Sequence, residues 1–173
     1  IYEILDEPPA VDDRHDAVDL IPSGGGISFS DVSFAYGKEA VGGSQGSENA
    51  PLVLEHFNLD ISPGETIAIV GRTGSGKSTI ARLLMRFYEL QGGKISLDGN
   101  DIRSVTQASL RSAISLVPDE PFLFSTSVHE NISYGKPNAS RAEVEAAARA
   151  AQAHEFIVEL EDDYDTVVGE RGY

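Results

Sequence analysis

Nine consecutive residues, Gly71-Arg72-Thr73-Gly74-Ser75-Gly76-Lys77-Ser78-Thr79, have types and spacing that could do chemistry. They fit G-x-x-x-x-G-K-[ST], the phosphate-binding P-loop. The glycines let the backbone run close to a phosphate with its N–H groups turned inward. A helix starting at the end of the loop adds partial positive charge at its N-terminus. Lys77 is placed to reach the β- and γ-phosphates of a nucleotide, and Ser78 Oγ to hold Mg²⁺. Thr73, Gly74, Ser75, Gly76 and Thr79 complete the candidate nucleotide-binding set.

That chemistry needs a strand before the loop and a helix after it. Thr66-Ile67-Ala68-Ile69-Val70 is a short apolar run and reads as a buried strand. Ile80 to Tyr88 reads as a helix, with Ile80, Leu83, Leu84 and Phe87 on one face and Gln91-Gly92-Gly93 as its end. Upstream, Ile27 and Phe29 alternate in one phase, and Val32, Phe34 and Tyr36 in the other. The break at Ser30-Asp31 predicts a bulge or bend. Residues 37–51 read as a Gly/Ser-rich loop. Phe57, Leu59 and Ile61 mark a half-buried strand, and Ser62-Pro63-Gly64-Glu65 a tight turn into the strand before the P-loop.

Downstream, Ile95 and Leu97 predict a strand running into an Asp98-Gly99 turn. Thr106 is placed to cap a short helix through Arg111. Ile114-Ser115-Leu116-Val117 reads as a strand stopped by Pro118, and Thr126 or Ser127 as the cap of a helical turn through Ile132. Ser140 with Glu143 forms a capping box that opens an Ala-rich helix from Arg141 to about Leu160. At the N-terminus, Ile1 to Pro9 reads as a helix end closed by two prolines. Residues 10–26 have a linker composition that ends in Ser23-Gly24-Gly25-Gly26.

Composition narrows the function classes. The 173 residues carry a formal net charge of −15, from 28 acidic and 13 basic residues. Half of the acids lie in two stretches, residues 1–20 and 155–170, which read as solvated faces or linkers. An acidic chain argues against a broad nucleic-acid-binding surface. The absence of cysteine excludes a disulfide framework and thiolate metal sites, and fits a reducing compartment. No apolar run approaches the roughly 18 residues needed to cross a bilayer. His15, His56, His129 and His154 are scattered and match no metal or triad spacing. With no initiator Met and no terminal cap signal at Tyr173, the chain reads as a piece of a longer protein.

The P-loop alone does not separate kinases, GTPases, helicases and transporters, but its neighbours do. Tyr36 ends a strand about 40 residues before Lys77, Leu-Val-Pro-x-x-x-x-Leu-Phe runs from Leu116 to Phe124, and Val168-Gly169-Glu170-Arg171-Gly172 lies near the C-terminus. In order and spacing these motifs resemble the nucleotide-binding domain of exporter-type ABC transporters, over nearly the whole chain. The resemblance implies that Tyr36 is the A-loop aromatic that stacks on adenine, so the nucleotide is ATP, bound with Mg²⁺. It implies that residues 71–79 are Walker A. It places Asp119 at the Q-loop position, where the family has a Gln that contacts Mg²⁺ and the attacking water. Asp119 is one methylene shorter and negatively charged, so both reach and charge depart from the family, although a carboxylate suits a hard cation. Val168 to Gly172 resembles the X-loop, which touches the partner subunit's coupling helices.

The resemblance further implies an α/β fold: a P-loop NTPase core with parallel strands, a small antiparallel β subdomain from roughly residue 27 to 65, and the start of a helical subdomain from about 120. Residues 1–22 would be a linker from a fused transmembrane domain, and 23–173 the N-terminal part of the ATP-binding domain. The domain would sit on the cytoplasmic face of the cell membrane and pair with a second nucleotide-binding domain, in a homo- or heterodimer. The family's LSGGQ signature and Walker B would follow Tyr173, and with them the general base, so these residues alone are expected to be inactive. Two other readings remain open. Ile114 to Glu120 also resembles a Walker B pattern, which would make a compact GTPase or small-molecule kinase; Pro118 and the lack of Asn-Lys-x-Asp argue against it. Asp119 in place of Gln would also suit a catalytically silent half of a heterodimeric transporter.

Overall fold

The computed structural model describes residues 11–37, 50–118 and 122–169. The chain divides into two compact units, Ile1–Leu116 and Val117–Tyr173.

The first unit is built on a four-stranded antiparallel sheet of order β2-β1-β3-β4, in which β1 is Ile27–Phe34, β2 Leu54–Ile61, β3 Gly92–Leu97 and β4 Asn100–Asp101. The bulge expected at Ser30-Asp31 is present. The register of β1 shifts between Phe29 and Val32, and Asp31 takes a φ of 54°. Phe29 therefore points inward on one side of the bulge, and Val32 and Phe34 on the other; all three are buried. The Asp98-Gly99 turn joins β3 to β4 with positive φ at both residues, 50° and 81°, the primed geometry that matches strand twist. Helix α1 (Lys77–Leu84) places Ile80 and Leu83 on the same core as Phe34, Leu54, Ile95 and Leu97. Helix α2 (Gln107–Ser112) adds Leu110, under the Thr106 cap that the sequence indicates.

Four expectations change, the last of them in the second unit. Neither Thr66–Val70 nor Ile114–Val117 forms a strand; Val70 is 89 % and Val117 92 % exposed. A buried strand needs hydrogen-bonded neighbours as well as apolar side chains, and no described residue pairs with either run. The helix after the P-loop stops at Leu84, short of Tyr88, because Arg86 turns left-handed at φ 52° and Phe87 is left half-exposed. The segment of linker composition is fastened down. Val18 bridges Val105, Leu20 is buried in the core, and Asp98 accepts from the backbone N–H groups of Ser23, Gly24 and Gly26. Of the segment's own acids, Asp13 accepts from Arg86 and from Gln107 N–H, and Asp19 from the Thr106 hydroxyl.

The second unit packs helix α3 (Val128–Ser133), helix α4 (Arg141–Ala150) and helix α5 (His154–Ile157) with a 3₁₀ turn at Asp163–Asp165; β5 (Thr126–Ser127) pairs with β6 (Val167–Val168). Ser127 and Ser140 each form a capping box, with Glu130 and Glu143. The Ala-rich helix breaks at Ala151 and Gln152, where Gln152 takes a φ of 60° and Ala153 N–H donates back to the Ala148 carbonyl, a left-handed helix stop. The break lets Ile157 and Tyr164 close over Val144 and Ala148. The Tyr164 hydroxyl meets His154 Nδ1 at 2.8 Å, which gives that histidine a packing role. Among the described residues no helix is long and apolar enough to cross a membrane.

Candidate functional site

The P-loop lies in the first unit, between the unpaired run that ends at Val70 and the N-terminus of α1. A turn closed by Ser75 N–H on the Arg72 carbonyl (3.1 Å) shapes its middle, and Gly74 sits there at φ 83°. Two further glycines lie close to neighbours, and the position of the second demands glycine. A Cβ on Gly71 would stand 2.5 Å from Ser75 Oγ. Gly76 has a φ of 88°, and a Cβ there would stand 3.0 Å from Leu54 Cδ2 and 3.2 Å from the Val53 carbonyl oxygen. The loop is thus pressed against the start of β2.

Gly76 is also the N-cap of α1, and it brings no side chain to the helix end. Helices α2, α3 and α4 have their first N–H groups answered by Thr106, Ser127 and Ser140. The first turn of α1 has no such cap and no acidic residue, so its donors and its positive end face an incoming group. Lys77 Nζ donates to the carbonyls of Gly71 (2.8 Å) and Arg72 (2.9 Å), which holds its ammonium over the loop's entry. Ser78 is exposed on the same turn, and its hydroxyl has no hydrogen-bond partner among the described residues. Thr73, Gly74 and Ser75 line the exposed arc, and Thr79 is buried beneath it.

This cradle fits a triphosphate with a divalent cation. Backbone donors and one ammonium oppose the anion, and the Ser78 hydroxyl is a hard oxygen ligand of the kind Mg²⁺ takes. Among the described residues no group of three or more His, Asp or Glu stands where it could hold a metal ion.

Tyr36 lies two residues beyond buried Phe34 and is 36 % exposed. Its backbone approach is fixed by Ala35 N–H on Gln91 Oε1 and by Val53 N–H on the Phe34 carbonyl. The ring stands edge-on to Phe34 (4.9 Å) and Tyr88 (5.2 Å), and its hydroxyl is 2.9 Å from Thr79 Oγ1. The structure therefore brings Tyr36 to the end of the P-loop itself. Arg82 joins it, donating to the Tyr36 oxygen at 3.4 Å; that bond raises the Arg82 pKa above its ordinary value. Sequence reading missed Arg82. The available signal was its spacing, since Thr79 and Arg82 are three residues apart and share a helix face.

Asp119 lies outside the described residues, as do Glu170, Arg171 and Gly172 of the proposed X-loop. Val168 is in β6. In the second unit Phe124 is held by Asn131, which accepts from its N–H and donates to its carbonyl, and its ring stacks on Tyr134 at 4.7 Å.

Comparison with known proteins identifies the family. A family profile described as ABC transporter matches residues 54–172. An ATP-dependent lipid A-core flippase of Desulfotalea psychrophila is 42 % identical over 99 % of this chain and 28 % of its own length. ATP-binding cassette sub-family B member 6 of Xenopus tropicalis is 44 % identical over 99 % of this chain and 19 % of its own. The solved structure of a bacterial Atm1-family ABC exporter with ATP bound superposes with a TM-score of 0.87 at 41 % identity, over 99 % of this chain and 28 % of that one. The chain thus spans less than a third of these relatives. The α/β P-loop fold is shown by that superposition, although two of its strands are unpaired here. The chain belongs to the ABC transporter family, with exporters as its relatives.

Proposed function

We propose that these residues bind ATP with Mg²⁺ and that, in the complete protein, hydrolysis of that ATP drives export of a substrate across a membrane. The observation that carries the reading is the P-loop at the bare N-terminus of α1, with Lys77 over its entry. Lys77, Ser78 and the backbone of Thr73 to Thr79 would hold the phosphates, Ser78 the cation, and Tyr36 the adenine. Bound Mg²⁺ would neutralise charge on the β- and γ-phosphates. Asp119 would stand at the Q-loop position as a second cation contact. Residues 1–22 would lead from a fused transmembrane domain, 23–173 would be the front of an ATP-binding domain on the cytoplasmic face, and a second such domain would complete the site.

Lys77→Ala tests it. The variant should lose ATP-driven transport and weaken ATP binding by at least tenfold, since it removes a charge-assisted contact of about 1.5–3 kcal/mol. Transport retained at the wild-type rate in reconstituted vesicles would remove the P-loop from the mechanism.

A further inference from the structure

The hydroxyl of Tyr36 is tied to α1, and stacking on a base does not require that tie. Any aromatic face would serve for stacking alone. We propose that Arg82 is a positioning residue of the nucleotide site: with Thr79 it fixes the plane of Tyr36 through the phenol oxygen, joining the base platform to the phosphate loop. The inference rests on the ATP reading above.

The geometry has a direction. Arg82 can only donate, so the Tyr36 oxygen accepts from it (3.4 Å) and has its own proton available for Thr79 Oγ1 (2.9 Å). Thr79 is only 5 % exposed, and a buried hydroxyl needs a partner. Thr79 closes the P-loop and Arg82 lies one helical turn on, so the ring is referenced to the same turn of α1 whose N–H groups would face the phosphates. Phe34 and Tyr88 pack against the ring nearly perpendicular to it, at 84° and 86°, which restricts sliding. The hydrogen bonds restrict the remaining swing of a side chain that is 36 % exposed. A platform held before binding loses less conformational freedom on binding. The Arg82 side chain makes no hydrogen bond to residues 71–78 among the described residues, so the effect of its guanidinium should pass through Tyr36.

The test separates base from phosphate. Binding of ATP and of inorganic tripolyphosphate, each with Mg²⁺, is measured by calorimetry on the purified full-length protein as wild type, Tyr36→Phe, Arg82→Ala and the double variant. Both single variants should bind ATP about threefold to tenfold more weakly, the range of one hydrogen bond, and bind tripolyphosphate as wild type does. The double variant should be no worse than Tyr36→Phe, because both changes remove the same tie. Wild-type ATP affinity in either single variant, equal losses for tripolyphosphate, or additive losses in the double variant would each overturn the role of Arg82 while leaving the ATP reading in place. A wild-type protein that binds neither compound would overturn both.

Discussion

Asp98 shows how one residue converts loop composition into structure. Its carboxylate accepts from the N–H groups of Ser23 (2.7 Å), Gly24 (3.1 Å) and Gly26 (2.8 Å), and these bonds lower its pKa to about 2. The depressed value means that the folded state prefers the charged form. The contribution is present above the unfolded carboxylate range, near 4, and is lost as pH falls through about 2. Asp98→Asn keeps a residue that tolerates the positive φ of this turn and removes the titration. The variant should be less stable than wild type at pH 7, and the gap should narrow between about pH 4 and pH 2. Urea midpoints measured across that range check it; a gap that is constant with pH would assign the effect to the turn alone.

At the scale of the element, α1 is closed differently at its two ends. Its N-terminus is left to a ligand. Its C-terminus is satisfied within the fold, where Arg111 donates to the carbonyls of Met85 (3.1 Å) and Arg86 (2.9 Å) and lies over the Phe87 ring. Arg86 is 3 % exposed and donates to Glu89, Asp13 and the carbonyls of Asp12 and Val105. It is the pin between the P-loop helix and the acidic N-terminal segment. A buried arginine with four acceptors cannot be removed without leaving those acceptors short of a donor. Because Asp13 and Glu89 are each about a third exposed, water recovers part of the loss. Arg86→Ala should therefore cost about 2–3 kcal/mol, at the lower edge of values for broken buried pairs. It should also expose residues 11–20 to protease. Chemical denaturation and limited proteolysis measure both; an unchanged midpoint would make the pin decorative.

At the scale of the whole molecule, the phosphate cradle has no acidic side chain hydrogen-bonded to it among the described residues. A general base must reach its proton directly or through one water. If the base is supplied elsewhere in the complete protein, the purified 173-residue chain should show no steady-state phosphate release from ATP above that of Lys77→Ala. Turnover that Lys77→Ala abolishes would show that the chain holds its own base.

Local features were legible because local rules set them. The P-loop glycines, the caps at Thr106, Ser127 and Ser140, the Asp98-Gly99 turn and the β1 bulge each depend on the few residues around them. The sequence by itself determined that a phosphate loop sits before a helix and that an aromatic precedes it by about 40 residues. Tertiary structure alone decided three further points. Thr66–Val70 and Ile114–Val117 remain unpaired, because a strand is made by its neighbours and not by its own apolar run. Helix α1 ends at Leu84, because Arg86 turns left-handed and distant Arg111 binds the carbonyls of Met85 and Arg86 just beyond the helix. Tyr36 is tied to Thr79 and Arg82, because folding brings residues 43 and 46 positions apart within hydrogen-bond reach, a separation no local pattern encodes.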